Sequence, residues 1–549
     1  MTGRARQYAL LLAGGAAVVA WAGFAYALTW HAYGSHSDSA NAARAGHDLV
    51  TGNVALHGWR LPADSYWSID LPVFGILAAL LGLGPRIVHL GPLLIAAAGI
   101  GLSLWTVAGR PADGPAPAGR QRAWLIGAAA PVLLLGLPHA FLAYIFFQGP
   151  WHVGTAVLCL LAFNLAAAPL GHRRWWAAVA VLAAAVIGDP IALALGVAPV
   201  AGASLLQAWR TRRAGAVLHA VGSGVAPVVA AGLVRVALSA AGGFTVATTE
   251  TSPLSNVLAN LRHVPRLLGA LLGVGSLSGL AGGAPVPAGG VIGAAHWTGA
   301  AGVAAAVAVS SAGTLVAVLR REPDADRWID DVLVLGFWGS VAAYGIVAAP
   351  GAGFAGARYL PAPLLFAVTL AGRRLADLAA AAPALLRPGR SARAVAVVAG
   401  VAAVAGYAGG SWRLLEHRAP TDPDDQLAAA LISRHLTFGY APYWIAGNAV
   451  LHSGGRLTVI AVESVGGRLR PFDFYADRHA LHRSPPEGAT FVVFRADTGW
   501  GNVDGAAAAA SFGPPGGTET LGPYTLLTYP GPSAPSGPPE LTATRPGPG

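Results

Sequence analysis

Residues 71–84 read LPVFGILAALLGLG, and the topology of the chain turns on that stretch. It is apolar throughout, but as a helix it covers only about 21 Å, and crossing the hydrocarbon of a bilayer takes about 20 residues. It reads as an interfacial or re-entrant helix, with the next span at 86–108. Arg110, Arg120 and Arg122 then fall in the cytoplasm, as the positive-inside rule requires; a crossing at 71–84 would put them outside.

Composition supports a membrane reading. The chain is 54% hydrophobic and 11% charged, whereas a soluble domain carries about 25% charged residues. Its net charge of +10 does not point to nucleic acid, because the basic residues cluster between apolar runs. All 35 basic residues are Arg, with one Met and one Cys. That is the coding bias of a GC-rich genome, expected of an actinobacterium. Cys159 lies in an apolar run and has no intrachain partner for a disulfide.

Working outward, residues 9–30 form a first span behind Arg4 and Arg6. The N-terminus is therefore cytoplasmic, and residues 31–85 form an external loop. Spans are expected at 124–145 and 153–169. The stretch 175–206 has Arg at both ends and reads as a hairpin turning at Gly188-Asp189-Pro190. A span at 216–239 leads to an external segment with a surface helix near 254–272. Spans at 297–319, 328–349, 360–377 and 394–411 follow. The expected fold is a polytopic α-helical plasma-membrane protein of about 11 transmembrane helices over residues 1–411. Residues 412–530 form a small extracytoplasmic α/β domain, with a helix from Asp425 to His435 and strands at 456–463, 490–495 and 523–529; the tail 531–549 is Pro/Gly/Ser-rich and expected to be disordered. Gly273-Val274-Gly275-Ser276-Leu277-Ser278-Gly279 misses the GxGxxG spacing by one residue and supports no cofactor.

Acidic residues are scarce, yet several fall on the outer face beside apolar spans. Asp38 opens a helical stretch after the first span. Asp64 and Asp70 frame Ser65-Tyr66-Trp67-Ser68-Ile69. Asp189 sits at the hairpin turn, His152 ends an external segment, and Arg358 and Tyr359 open the span at 360. Each has a bland reading: Asp38 as a helix cap, Asp189 as a turn or helix-cap residue, Asp64 and Asp70 as residues that solvate a loop or start a helix, Arg358 as a snorkelling anchor. Tyr440, Tyr443 and Trp444 suit packing or a membrane interface better than a sugar platform. The external His residues match no metal spacing.

The first span, the external loop with its early Asp and short apolar helix, Asp189-Pro190, and Arg358-Tyr359-Leu360-Pro361 together resemble the GT-C superfamily of membrane glycosyltransferases. The resemblance implies a donor sugar on polyprenyl phosphate, and an extracytoplasmic glycan, lipid or protein as acceptor. It implies catalytic carboxylates among Asp38, Asp64 and Asp70, with Asp38 as general base. It also implies that Arg358 and Tyr359 hold the donor phosphate, with Asp189 and His152 as further site residues. Asp38 is flanked by Ser37 and Ser39, where the superfamily often has acidic pairs, so a divalent metal stays open. The alternatives are a transporter or flippase for a lipid or envelope polymer, and a non-catalytic scaffold. A transporter would carry ionisable groups within its spans.

Overall fold

The computed structural model describes residues 3–109, 118–248, 251–275, 289–322, 327–347, 354–385, 390–416, 422–481, 488–496 and 503–530. The tail 531–549, residues 276–279 of the glycine-rich stretch, and Arg110 lie outside them. The chain divides into two compact units. The first holds residues 1–33, 92–234 and 249–420, and the second holds 34–91, 235–248 and 421–549.

The first unit is helical. Four described helices are long and apolar enough to cross a membrane: Arg86–Ala108, Ala214–Ala240, Gly290–Arg320 and Trp328–Ile346. The protein is a multi-pass membrane protein, though four helices rather than about eleven meet that measure among the described residues. The expected span at 124–145 is not one helix. Helix Ala118–Leu134 ends before Gly136, and Ala140–Phe146 begins after Pro138. Pro138 withholds a backbone donor and disfavours helix at the residue before it. The surface helix near 254–272 is likewise two pieces, Leu254–Leu261 and Val264–Leu271. The stretch 175–206 breaks at the expected place: helix Arg173–Gly188 stops with Asp189 in extended conformation, and helix Ala198–Thr211 follows a short π-helical turn, Leu193–Val197.

Charged groups inside this unit are spent on one another. Arg210, on Ala198–Thr211, grips Asp331 on Trp328–Ile346 through two bonds of 2.5 and 3.2 Å. Thr314, on Gly290–Arg320, donates to the same carboxylate at 2.8 Å. Both charged side chains are nearly sealed, at 2% and 3% exposure. The adjacent Asp330 takes Arg373 at 2.6 Å and also Arg374, both on Pro361–Leu385.

The second unit carries every described strand. In chain order these are β1 (Trp59–Leu61), β2 (Thr245–Val246), β3 (Phe438–Pro442), β4 (Thr458–Val465), β5 (Arg468–Pro471), β6 (Ala476–Asp477), β7 (Thr490–Phe494), β8 (Gly517–Leu521) and β9 (Tyr524–Tyr529). Six form one sheet in the order β5-β4-β3-β7-β9-β8. Its centre, β4-β3-β7, is parallel, and its edges are antiparallel hairpins. Helices Pro423–Ser433 and Tyr443–His452 pack on one face around Leu431, Ala446 and Phe491. The smaller sheet β2-β1-β6 pairs the loop after the first span with the C-terminal segment. A core of Leu56, Leu61, Phe74, Tyr443 and Tyr475 lies under it.

In this unit, helix Ser37–Val50 crosses the short apolar helix Asp70–Leu81, which forms where the sequence places it. They meet backbone to backbone: a Cβ on Gly46 would fall 2.6 Å from the carbonyl oxygen of Leu71, and one on Gly75 would strike the carbonyl of Gly46. The blocking atoms are backbone, which cannot swing away as a side chain could. Gly75→Ala is therefore expected to lower stability, by about 1–3 kcal/mol as for other overpacked sites, although Ala is the better helix former. Thermal melts of the purified protein check this; an unchanged or raised Tm would mean the helices part without cost.

Candidate functional site

The sequence-derived candidates separate into two sets, one in each unit. In the second unit, Asp38 lies in the first turn of helix Ser37–Val50. It is not the N-cap. His36 holds that position, and its ring accepts from the Ser39 amide at 3.4 Å. Asp38 is half-buried, and its Oδ1 accepts from the Tyr443 hydroxyl at 2.5 Å. Ser37 locks the arrangement by donating to the Tyr443 carbonyl at 2.5 Å. The Tyr443 hydroxyl is held well above its ordinary pKa, first by burial and then by the Asp38 charge, so it stays a donor.

A second buried tyrosine, Tyr475, draws the other acids together. Its pKa is raised well above the ordinary value by burial, then by the charges of Asp38, Asp70 and Asp64, with Arg44 acting oppositely. No described residue pairs with its hydroxyl. Asp64 accepts from Tyr66, a residue in left-handed backbone conformation at φ 53°. Asp70 starts the short apolar helix and is 2% exposed. Arg44 bonds Asn41 at 3.0 Å and sits 5.7 Å from the Trp59 ring centroid. Three carboxylates, one guanidinium and two neutral tyrosines thus share one neighbourhood. Arg44 and Tyr475 were not anticipated. The sequence suits Tyr443 to packing or a membrane interface; it packs, and its hydroxyl also donates to Asp38.

In the first unit, Asp189, His152, Tyr359 and Arg358 form a chain of contacts. Asp189 Oδ2 lies 2.7 Å from His152 Nδ1 and 2.6 Å from Thr155 Oγ1; its Oδ1 accepts from the Ile191 amide at 3.2 Å. Asp189 is 1% exposed and His152 4%. His152 stands at φ 60°, just before helix Val153–Ala166, in a left-handed conformation that non-glycine residues adopt at a cost. Its ring stacks on Tyr359 at 5.0 Å between centroids. Arg358 lies 5.0 Å over the same Tyr359 ring and donates to its hydroxyl at 3.0 Å. Asp189 therefore fixes the imidazole, the imidazole supports Tyr359, and Tyr359 braces the guanidinium. Thr155, one turn into its helix, was the member the sequence did not single out.

Among the described residues one group could hold a cation, and it contains none of the expected acids. Asp422, Asp424 and His452 bring ligand atoms within 4.8 Å of one another. Those atoms already hold the loop at Ser35: Asp422 accepts from its amide at 3.2 Å, and His452 Nε2 meets its hydroxyl at 2.9 Å. His452 Nδ1 meets Asp425 at 2.6 Å.

No protein-family model matches this sequence, and no curated protein does. Solved structures do. ArnT from Cupriavidus metallidurans bound to undecaprenyl phosphate superposes with a TM-score of 0.51 at 14% identity, over 94% of this chain and 97% of that one. Its apo form gives 0.52 at 13% identity, over 95% and 98%. The fold is that of ArnT. The ArnT likeness spans nearly the whole of both chains, so it covers both units. It shows the fold and says nothing of the bacterial group.

Asp424 makes the second unit sensitive to pH. It is 6% exposed and accepts from Tyr524 at 2.5 Å and Asn448 at 2.7 Å. Burial, reinforced by the charge of Asp422, pushes its carboxyl up to about 6 despite those bonds. An unfolded Asp titrates near 4, so the native state holds a proton that the unfolded chain has released. The stabilisation is complete below about pH 4 and is lost as pH rises through about 6. Asp424→Asn, neutral throughout, should flatten the fall in Tm between pH 4 and 7. Identical slopes for both proteins would show that Asp424 ionises normally.

Proposed function

We propose that this protein is a membrane glycosyltransferase that moves a sugar from a polyprenyl-phosphate donor to a hydroxyl on an extracytoplasmic glycan, lipid or protein. The observation carrying the proposal is the ArnT fold over 94% of the chain, since ArnT has been solved holding undecaprenyl phosphate. The GT-C resemblance read from the sequence supports the same reaction class, with the N-terminus cytoplasmic and residues 412–530 extracytoplasmic. An acceptor oxygen attacks the anomeric carbon with inversion as the bond from that carbon to the phosphate oxygen breaks. The electron pair leaves with the polyprenyl phosphate, and a base takes the acceptor's proton.

We assign the base to Asp38. It is half-buried, held in one orientation by Tyr443, and the first acid after helix Gly3–Ala32, whereas Asp70 is sealed at 2% exposure. Asp64 and Asp70 then shape the field around Asp38. Arg358, braced by Tyr359, suits the leaving phosphate, because a guanidinium presents two donors in the plane a phosphate accepts. Asp189 and His152 position that pair. Transport fits less well: two pairs of charged groups within the helices of the first unit, Arg210 with Asp331 and Asp330 with Arg373, neutralise each other.

Asp38→Asn keeps an oxygen for the Tyr443 hydroxyl but cannot take a proton. Transfer of radiolabelled sugar from polyprenyl-phosphate donors should fall about 10²–10⁴-fold with Tm unchanged. A wild-type rate would move the base to another acid.

Arg358→Lys keeps the charge and loses the fork. It should raise the donor concentration needed for half-maximal transfer by roughly tenfold or more, with acceptor dependence unaltered. Wild-type kinetics in Arg358→Ala would reduce Arg358 to a membrane anchor.

A further inference from the structure

Helices Ala118–Leu134, Gly290–Arg320, Pro361–Leu385 and Arg390–Glu416, all of the first unit, leave a cavity of about 700 Å³ between them. That lies within the usual range of small-molecule sites, about 300–1,000 Å³. Small apolar residues make its walls, among them Ala130, Gly302, Ala306, Ala371 and Ala403. Its lining runs along one helix from Ala295 to Val309, so it is a slot ~21 Å long at 1.5 Å per residue. One leaflet of bilayer hydrocarbon is roughly 15 Å deep. Val309 and Leu378 in its lining are 61% and 66% exposed, so the slot opens onto the surface of this unit. Shape and lining fit one hydrocarbon chain.

Two polar features decide which chain. Arg374 and Asp377 line the slot and pair with each other at 2.8 Å; Arg374 also pairs with Asp330. That charge is satisfied and does not call for an anionic headgroup. Tyr407 is the second feature. It lines the slot, is 4% exposed, and its hydroxyl has no hydrogen-bond partner among the described residues. The hydroxyl lies against Gly299, another wall residue, in the space a Cβ would fill. A buried hydroxyl without a partner is costly, and most so in hydrocarbon. An ester carbonyl is an acceptor; an isoprenoid chain carries none along its length.

We infer that this slot holds one acyl chain of an ester-linked glycerophospholipid, whose ester carbonyl accepts a hydrogen bond from Tyr407. The site is separate from the groups assigned to transfer, and its test does not depend on that activity.

The probe is an ester-linked phosphatidylethanolamine with a diazirine half-way along one acyl chain. It is photolysed with the purified full-length protein, and the labelled peptides are mapped by mass spectrometry. Label should appear within 295–309 and 371–381. Gly302→Leu puts a side chain into open space, with no atom within 4 Å of its Cβ, so it should fill the slot and lose the label while folding normally. Tyr407→Phe should cut labelling about threefold to tenfold, the range of one hydrogen bond. The ether-linked analogue should label wild type less by the same factor, and should not distinguish wild type from Tyr407→Phe. Equal labelling by ester and ether probes overturns the inference, and this comparison needs no variant to fold. So does undiminished labelling of folded Gly302→Leu, or displacement of the label by polyprenyl phosphate and not by unlabelled ester phospholipid.

Discussion

Arg210 and Asp331 form a two-bond ion pair, nearly sealed from water, between two helices of the first unit. Leaving either charge unpaired there would cost several kcal/mol, so the helices carrying them can sit in only one register. Asp330, the preceding residue, points about 100° around the same helix and binds Arg373 and Arg374. One turn of Trp328–Ile346 thus ties Ala198–Thr211, Gly290–Arg320 and Pro361–Leu385 together. The segments entering two of those helices carry the candidate residues of this unit: Asp189 precedes Ala198–Thr211, and Arg358 with Tyr359 precedes Pro361–Leu385. Charge pairing toward one end of the helices therefore sets where His152, Asp189 and Tyr359 meet at the other.

The second unit solves a different problem, holding several carboxylates near one another without unfolding the segment that bears them. Two buried tyrosines do part of this work. Tyr443 gives Asp38 a hydrogen bond, and Tyr475 sits among all three acids as an uncharged group. The close crossing at Gly46 and Gly75 brings the start of one helix, with Asp70, beside the helix carrying Asp38. The small sheet binds the first loop to the C-terminal segment, through Arg60 paired with Ala476 of β6 and with Asp473 at 2.9 Å. The acids and the tyrosines that orient them lie some 400 residues apart in the chain, yet they belong to one compact unit.

Hydropathy along the chain determined most of the helices by itself: Arg86–Ala108, the short Asp70–Leu81, Ala214–Ala240, and the break at Asp189-Pro190. These follow from local physics, because a run of apolar side chains, a proline and a charged end act over a few residues. The same local view misjudged 124–145, where apolar character continues through Pro138 although the helix does not. The acids of the loop after the first helix, together with Asp189, His152 and Arg358, could be named for residue type and position. Tertiary structure alone decided what each of them touches. Tyr443 meets Asp38 across 405 positions, His152 meets Asp189 across 37, and Arg210 meets Asp331 across 121. No periodicity or spacing encodes such pairs, because they come from helices packing side by side, where burial leaves each polar group to find whichever partner the neighbouring helix presents.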